Sequence, residues 1–223
     1  MMVSQGGHIM TNNLTEIMFI LDRSGSMSGL ESDTIGGFNA LIQKQKDNPD
    51  DTAITTVLFD DEIKVLHHHT NIHSIKPMNE NDYQVRGTTA LLDAVGQSIV
   101  NMDLYQKELP PTMRAKHVMV VITTDGLENA SRQYTHARVK QLIERQKELY
   151  NWEFIFLGAN MDALSQARSF GIHEDKAVRF HSDKEGTSLN YDVLNEAINA
   201  KRANKTITKD WKQRIEKDYD SRQ

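Results

Sequence analysis

Ile17-Met18-Phe19-Ile20-Leu21-Asp22-Arg23-Ser24-Gly25-Ser26 is the stretch from which the fold is read. The apolar run of residues 17–21 reads as a buried strand. At its end one carboxylate and two hydroxyls alternate with spacer residues. These are hard oxygen ligands, suited to Mg²⁺, Ca²⁺ or Mn²⁺ rather than to zinc. Gly25 lets the chain turn sharply, so that Ser24 and Ser26 converge on the point that Asp22 faces. The competing reading is structural: a Ser-rich turn capping a helix that starts near Gly29.

Working outward, two later segments repeat the arrangement. Arg86-Gly87-Thr88-Thr89-Ala90-Leu91-Leu92-Asp93-Ala94 is a Gly-Thr turn opening an amphipathic helix. Val118-Met119-Val120-Val121-Ile122-Thr123-Thr124-Asp125-Gly126 is a second buried strand ending in Asp-Gly. All three polar clusters stand where a strand gives way to a loop or helix. In an open α/β sheet, the carboxyl ends of the strands are where ligands bind.

With these residues in view the chain resembles the von Willebrand factor A family, over roughly residues 15–200. That family builds a metal-ion-dependent adhesion site (MIDAS) from Asp-x-Ser-x-Ser, a Thr in a Gly-Thr loop and an Asp at the end of the fourth strand. All five positions are matched in order here, by Asp22, Ser24, Ser26, Thr89 and Asp125. Thr88 is the runner-up for the loop threonine. The resemblance implies a Rossmann-like fold: a doubly wound, mostly parallel six-stranded sheet in the order 3-2-1-4-5-6, with one antiparallel edge strand and helices on both faces. It also implies a division of roles. Asp22 anchors the site directly or through water, Ser24, Ser26 and Thr89 give hydroxyl oxygens, and Asp125 stands behind them. One coordination position stays open, and in the family an acidic side chain of a partner protein fills it. The resemblance further points to stand-alone intracellular bacterial or phage members, which serve as adaptors for AAA+ ATPases, chelatases or stress-response complexes.

The periodicity along the chain gives the same architecture. Strands are expected at residues 16–21, 53–59, 62–70, 117–123, 152–157 and 177–181. Helices are expected at 30–46, 88–103, 135–149, 161–170 and 189–203. The second and third strands are joined by the short turn at Asp60-Asp61 and read as an antiparallel hairpin. Strand–helix alternation elsewhere implies a mostly parallel sheet. Residues 1–13 read as a flexible leader, 14–203 as the domain, and 204–223 as a charged tail, helical or flexible, with a solvated helix preferred over a docking segment.

Composition bounds the function. The chain has 223 residues, 38% hydrophobic and 26% charged, a formal net charge of −5 and a pI near 6.0. That is a globular domain with a sizeable core and no general electrostatic footprint for nucleic acid. No apolar run approaches the roughly 20 residues of a membrane helix. There is no cysteine, and the first 13 residues lack the apolar segment of a signal peptide. A cytoplasmic location is therefore expected, with neither membrane nor nucleic acid as partner.

The resulting expectation is a non-catalytic protein-binding module that uses Mg²⁺, with Mn²⁺ or Ca²⁺ as substitutes. Its partner is a protein supplying Asp or Glu to the metal, with an AAA+ ATPase as one candidate. The alternative is a Mg²⁺-dependent hydrolase of a phosphorylated small molecule, against which stands the absence of a Gly-rich phosphate loop and of an Asp-x-Asp motif. A structural domain with an inactive site is the third reading, opposed by the five matched positions. Among the remaining residues, Arg23 is expected to face outward. Arg86 stands where many relatives carry a small residue, placing a positive charge near the metal. Asn129 is expected to orient the loop after Asp125, and Asn160 to cap a helix rather than to line the partner surface; a surface role for Glu128 in partner choice has no support in the sequence. Of the His67-His68-His69 triplet, strand alternation puts His67 and His69 on one face.

Overall fold

Residues Thr15–Asp22 form strand β1, all eight of them buried, in a computed structural model that describes residues 13–159 and 162–222. Period-two alternation sends Ile17, Phe19 and Leu21 into one apolar cluster and Met18 and Ile20 into the other, so β1 is cored on both faces. Around it stand β2 (Thr52–Phe59), β3 (Ile63–Asn71), β4 (His117–Thr124), β5 (Glu153–Gly158) and β6 (Ala177–Arg179). The order is β3-β2-β1-β4-β5-β6, parallel throughout except for the β2–β3 hairpin. This is the doubly wound sheet expected from the sequence.

Helices α1 (Glu31–Lys46) and α5 (Lys184–Arg202) supply Phe38, Leu41, Ile42, Leu194 and Ile198 to the first cluster. Helices α2 (Leu91–Glu108), α3 (His136–Tyr150) and α4 (Ala163–Ser169) cover the opposite face. Gly96 lets α2 pack against the segment leading into α3, since a Cβ there would lie 2.2 Å from the Tyr134 ring. The last helix, α6 (Gln213–Ser221), follows a short 3₁₀ turn at Lys209–Lys212.

Four local expectations are corrected. Helix α2 begins at Leu91, not at residue 88, because Gly87 takes a left-handed φ of 67° and Ala90 N–H donates to the Asp60 carbonyl at 2.9 Å. Helix α5 begins five residues earlier than expected, at Lys184, because Asp183 caps it by accepting from Gly186 N–H at 2.8 Å. The charged tail is not a solvated helix. Ile215 and Tyr219, one turn apart, are buried, and the Lys212 ammonium donates to the Glu174 and Ala177 carbonyls at 2.8 and 3.0 Å. The histidine triplet does not alternate simply. Register shifts opposite Thr56 and a left-handed His69 (φ 45°) break the pleat. His67 therefore stacks on Phe38 of α1, while His69 pairs with Glu16 and packs against Tyr105 of α2. The leader up to residue 12 and Asn160 lie outside the described residues.

Candidate metal centre

The register of the sheet brings the polar clusters together. Leu21 of β1 pairs with Thr123 of β4, so Asp22 and the Thr124-Asp125 pair emerge side by side at the carboxyl edge. Asp22 is buried and held by two donors. Ser24 N–H reaches Oδ1 at 2.7 Å, and the Thr124 hydroxyl reaches Oδ2 at 2.5 Å. Its carbonyl accepts from the fully buried Tyr83 hydroxyl. From Thr89 a chain of hydroxyls runs outward. Thr89 Oγ1 donates to Ser24 Oγ at 3.0 Å, Ser24 and Ser26 hydroxyls lie 3.1 Å apart, and Ser26 donates to Asp125 Oδ1. The Ser182 hydroxyl, just before α5, holds the other Asp125 oxygen at 3.2 Å.

All five residues singled out from the sequence thus lie within one hydrogen-bonded group. Thr88 is exposed and outside it; Thr89, buried, is the threonine that takes part. Thr89 is fixed from both sides of its own backbone: its N–H donates to Asn129 Oδ1 at 2.9 Å, and its carbonyl accepts from Asn129 N–H at 3.0 Å. Asn129 therefore ties the Gly-Thr loop to the loop after β4. Glu128 is not a free surface carboxylate. It accepts from Leu92, Ala130 and Ser131 N–H and from the Ser131 hydroxyl, closing the start of α2. Arg23 does not face outward. It is buried, with Nε 3.0 Å from Asp60 Oδ2, an ion pair without hydrogen-bond alignment. Arg86 Nε reaches the same oxygen at 2.8 Å, and Arg86 also pairs with Glu62.

Thr124, Ser182, Tyr83 and Asp60 went unseen in the sequence reading. Thr124 had a signal, since it is the last residue of β4 and directly precedes Asp125. The others are brought in by the fold alone.

The donor set fits a hard divalent cation. Oxygen–oxygen separations of about 3 Å are the edge of an octahedron whose bonds are about 2.1 Å long, and the Thr89–Ser24 and Ser24–Ser26 pairs stand at 3.0 and 3.1 Å. Gly126 keeps the cradle open: a Cβ there would lie 2.7 Å from Thr89 Oγ1 and 3.2 Å from Ser26 Oγ. Burial pushes the Asp22 carboxyl above the usual carboxylate range despite its bonds to Thr124 and Ser24. Asp125 is likewise raised, chiefly by burial. Two such carboxylates favour a neutralising charge, a proton or a cation. Among the described residues no three His, Cys, Asp or Glu side chains converge on a point, so the hydroxyls give this site its character.

The fold is that of a von Willebrand factor A-type domain. Solved structures with it include proximal thread matrix protein 1 from the mussel byssus (16% identical over 82% of this chain and 45% of that one, TM-score 0.55), also solved with a zinc-occupied MIDAS motif. A mutant PilB minor pilin from Streptococcus sanguinis is 10% identical over 82% of this chain and 61% of its own, TM-score 0.56. Manganese-loaded TRAP protein from Plasmodium vivax is 18% identical over 80% and 73%, TM-score 0.52. The chain thus spans less than half of the mussel protein's length and under two thirds of the pilin's. No protein-family model matches the sequence, and no curated protein matches it. Among the described residues no helix is long and apolar enough to cross a membrane.

Proposed function

We propose that this chain is a metal-dependent protein-binding module, an adaptor in a cytoplasmic complex, with Mg²⁺ as its working ion. The observation that supports this most is the hydroxyl chain Thr89–Ser24–Ser26–Asp125 built against a buried Asp22. Ser24, Ser26 and Thr89 would hold the ion, while Asp22 and Asp125 would orient the hydroxyls and neutralise its charge. A bound dication with so few charged ligands supplies excess positive charge and an open position for a partner's carboxylate oxygen. Ser26 is exposed and Ser24 buried, so the hydroxyl chain comes to the surface at Ser26, within a partner's reach.

We read the module as non-catalytic because the hydroxyls and carboxylates satisfy one another and no histidine stands in that chain as a poised base. The partner is a protein presenting Asp or Glu, and an AAA+ ATPase is the candidate we favour. The test is capture of partners from lysate in Mg²⁺ and in EDTA, followed by calorimetry on the captured protein. Binding should be lost in EDTA and with Asp22→Ala. Equal affinity in Mg²⁺ and EDTA would sink the adhesion-type mechanism.

A further inference from the structure

Asp60 is fully buried at the turn between β2 and β3, and beyond its contacts with Glu62 in that turn it reaches two other loops. Its Oδ2 lies 3.0 Å from Arg23 Nε and 2.8 Å from Arg86 Nε. Its Oδ1 accepts from Glu62 N–H at 2.6 Å, and its carbonyl accepts from Ala90 N–H at 2.9 Å. Arg23 stands between Asp22 and Ser24. Arg86 and Ala90 bracket Thr89. One residue, itself outside the hydroxyl group, thus grips both loops that carry the hydroxyls. The two loops also touch directly: Arg86 N–H donates to the Arg23 carbonyl at 2.9 Å and Gly25 N–H to the Gly87 carbonyl at 3.2 Å.

We propose that Asp60 is the positioning residue of the metal centre, clamping the Ser24–Ser26 loop to the Thr89 loop through Arg23 and Arg86. This rests on the metal reading above and deepens it. The physical argument has two parts. A buried carboxylate shared by two guanidiniums resists separation of the loops, because parting them strands a charge in the interior. The same carboxylate draws both arginines away from the hydroxyls, so that two cations do not face an incoming dication. Arg86 is thereby a strut rather than a barrier.

Charge and position make opposite predictions, and the experiment uses that. Arg86 is half exposed, so Arg86→Met should fold. By charge alone, removing a cation from beside a cation site tightens Mg²⁺ binding. If Arg86 is an arm of the clamp, binding weakens instead, by about threefold or more. Asp60→Asn, which releases both arms, should weaken Mg²⁺ about tenfold or more. Calorimetry with Mg²⁺ reads both, and amide hydrogen exchange in EDTA reads the clamp without metal. Exchange at Gly25, Arg86 and Ala90 should quicken in both variants while β1 and β4 stay protected. Tighter or unchanged Mg²⁺ binding in Arg86→Met overturns the proposal. So does unchanged exchange at those three amides. A wild-type chain that binds no Mg²⁺ or Mn²⁺ would overturn the metal reading and the metal-positioning role with it. The exchange data would then decide only whether the loops are clamped.

Discussion

At Gly126 a single hydrogen atom decides whether the hydroxyls can converge. Any larger side chain would press on Thr89 Oγ1 and Ser26 Oγ, which are packed at hydrogen-bonding distance from their neighbours. Gly126→Ala should therefore weaken Mg²⁺ or Mn²⁺ binding tenfold or more in a calorimetric titration, with a smaller effect on melting in EDTA. The carboxylates give a second test at this scale. Asp22 and Asp125 bind protons more readily folded than unfolded, since burial raises both. Without metal, their contribution to stability is present at low pH and lost as pH rises from the ordinary carboxylate value through the raised folded one. A dication competes with those protons. The melting-temperature increment produced by Mg²⁺ should therefore grow with pH across that window and then level off. A pH-independent increment would place the cation elsewhere. That Asp22, Ser24, Ser26, Thr89 and Asp125 could be picked out of the sequence follows from their matching, in order and at strand ends, the motif of the family that the chain resembles. Arg23 could not be placed, because what turns it inward is Asp60, 37 positions away in the sequence.

At the scale of elements, strands were read closely and helix starts less so. A strand such as β4 advertises itself by an unbroken apolar run. The start of α2 is fixed instead by hydrogen bonds that Ala90 and Leu92 N–H donate to the Asp60 carbonyl and the Glu128 carboxylate, which no local pattern reveals. Helix α6 is the clearest case of tertiary structure overriding composition. Its charge alternation suggests solvation, yet Ile215 and Tyr219 sit one turn apart on one face. Ile215 joins the same cluster as α1 and α5, and Tyr219 stacks on His181 with centroids 4.6 Å apart. Ile215→Ala should cost about 2–4 kcal/mol by the usual penalty for a large-to-small change in a core. Urea unfolding measures it; a loss below about 0.5 kcal/mol would mean that α6 is detached in solution.

For the molecule as a whole, a ligand that binds only the folded state adds stability in proportion to the logarithm of its concentration. The gain is about 2.7 kcal/mol at a hundred times the dissociation constant. Mg²⁺ or Mn²⁺ should accordingly raise the melting temperature of the whole chain, since the site joins loops from β1, β4 and α2 and cannot survive partial unfolding. Asp22→Ala should abolish the rise. A cation-dependent shift that persists in that variant would show a different binding place.

The irregularity of β3 has one more consequence. An open sheet has two edges, each a row of unsatisfied backbone donors and acceptors on which another chain could add a strand. Here β6 is three residues long, too short to template much. The other edge, β3, is nine residues long, but its ladder to β2 slips twice and its backbone turns left-handed at His69. A bulged, twisted edge presents no straight ladder for a second copy to match. The histidine triplet thus marks the place where this edge departs from a straight ladder.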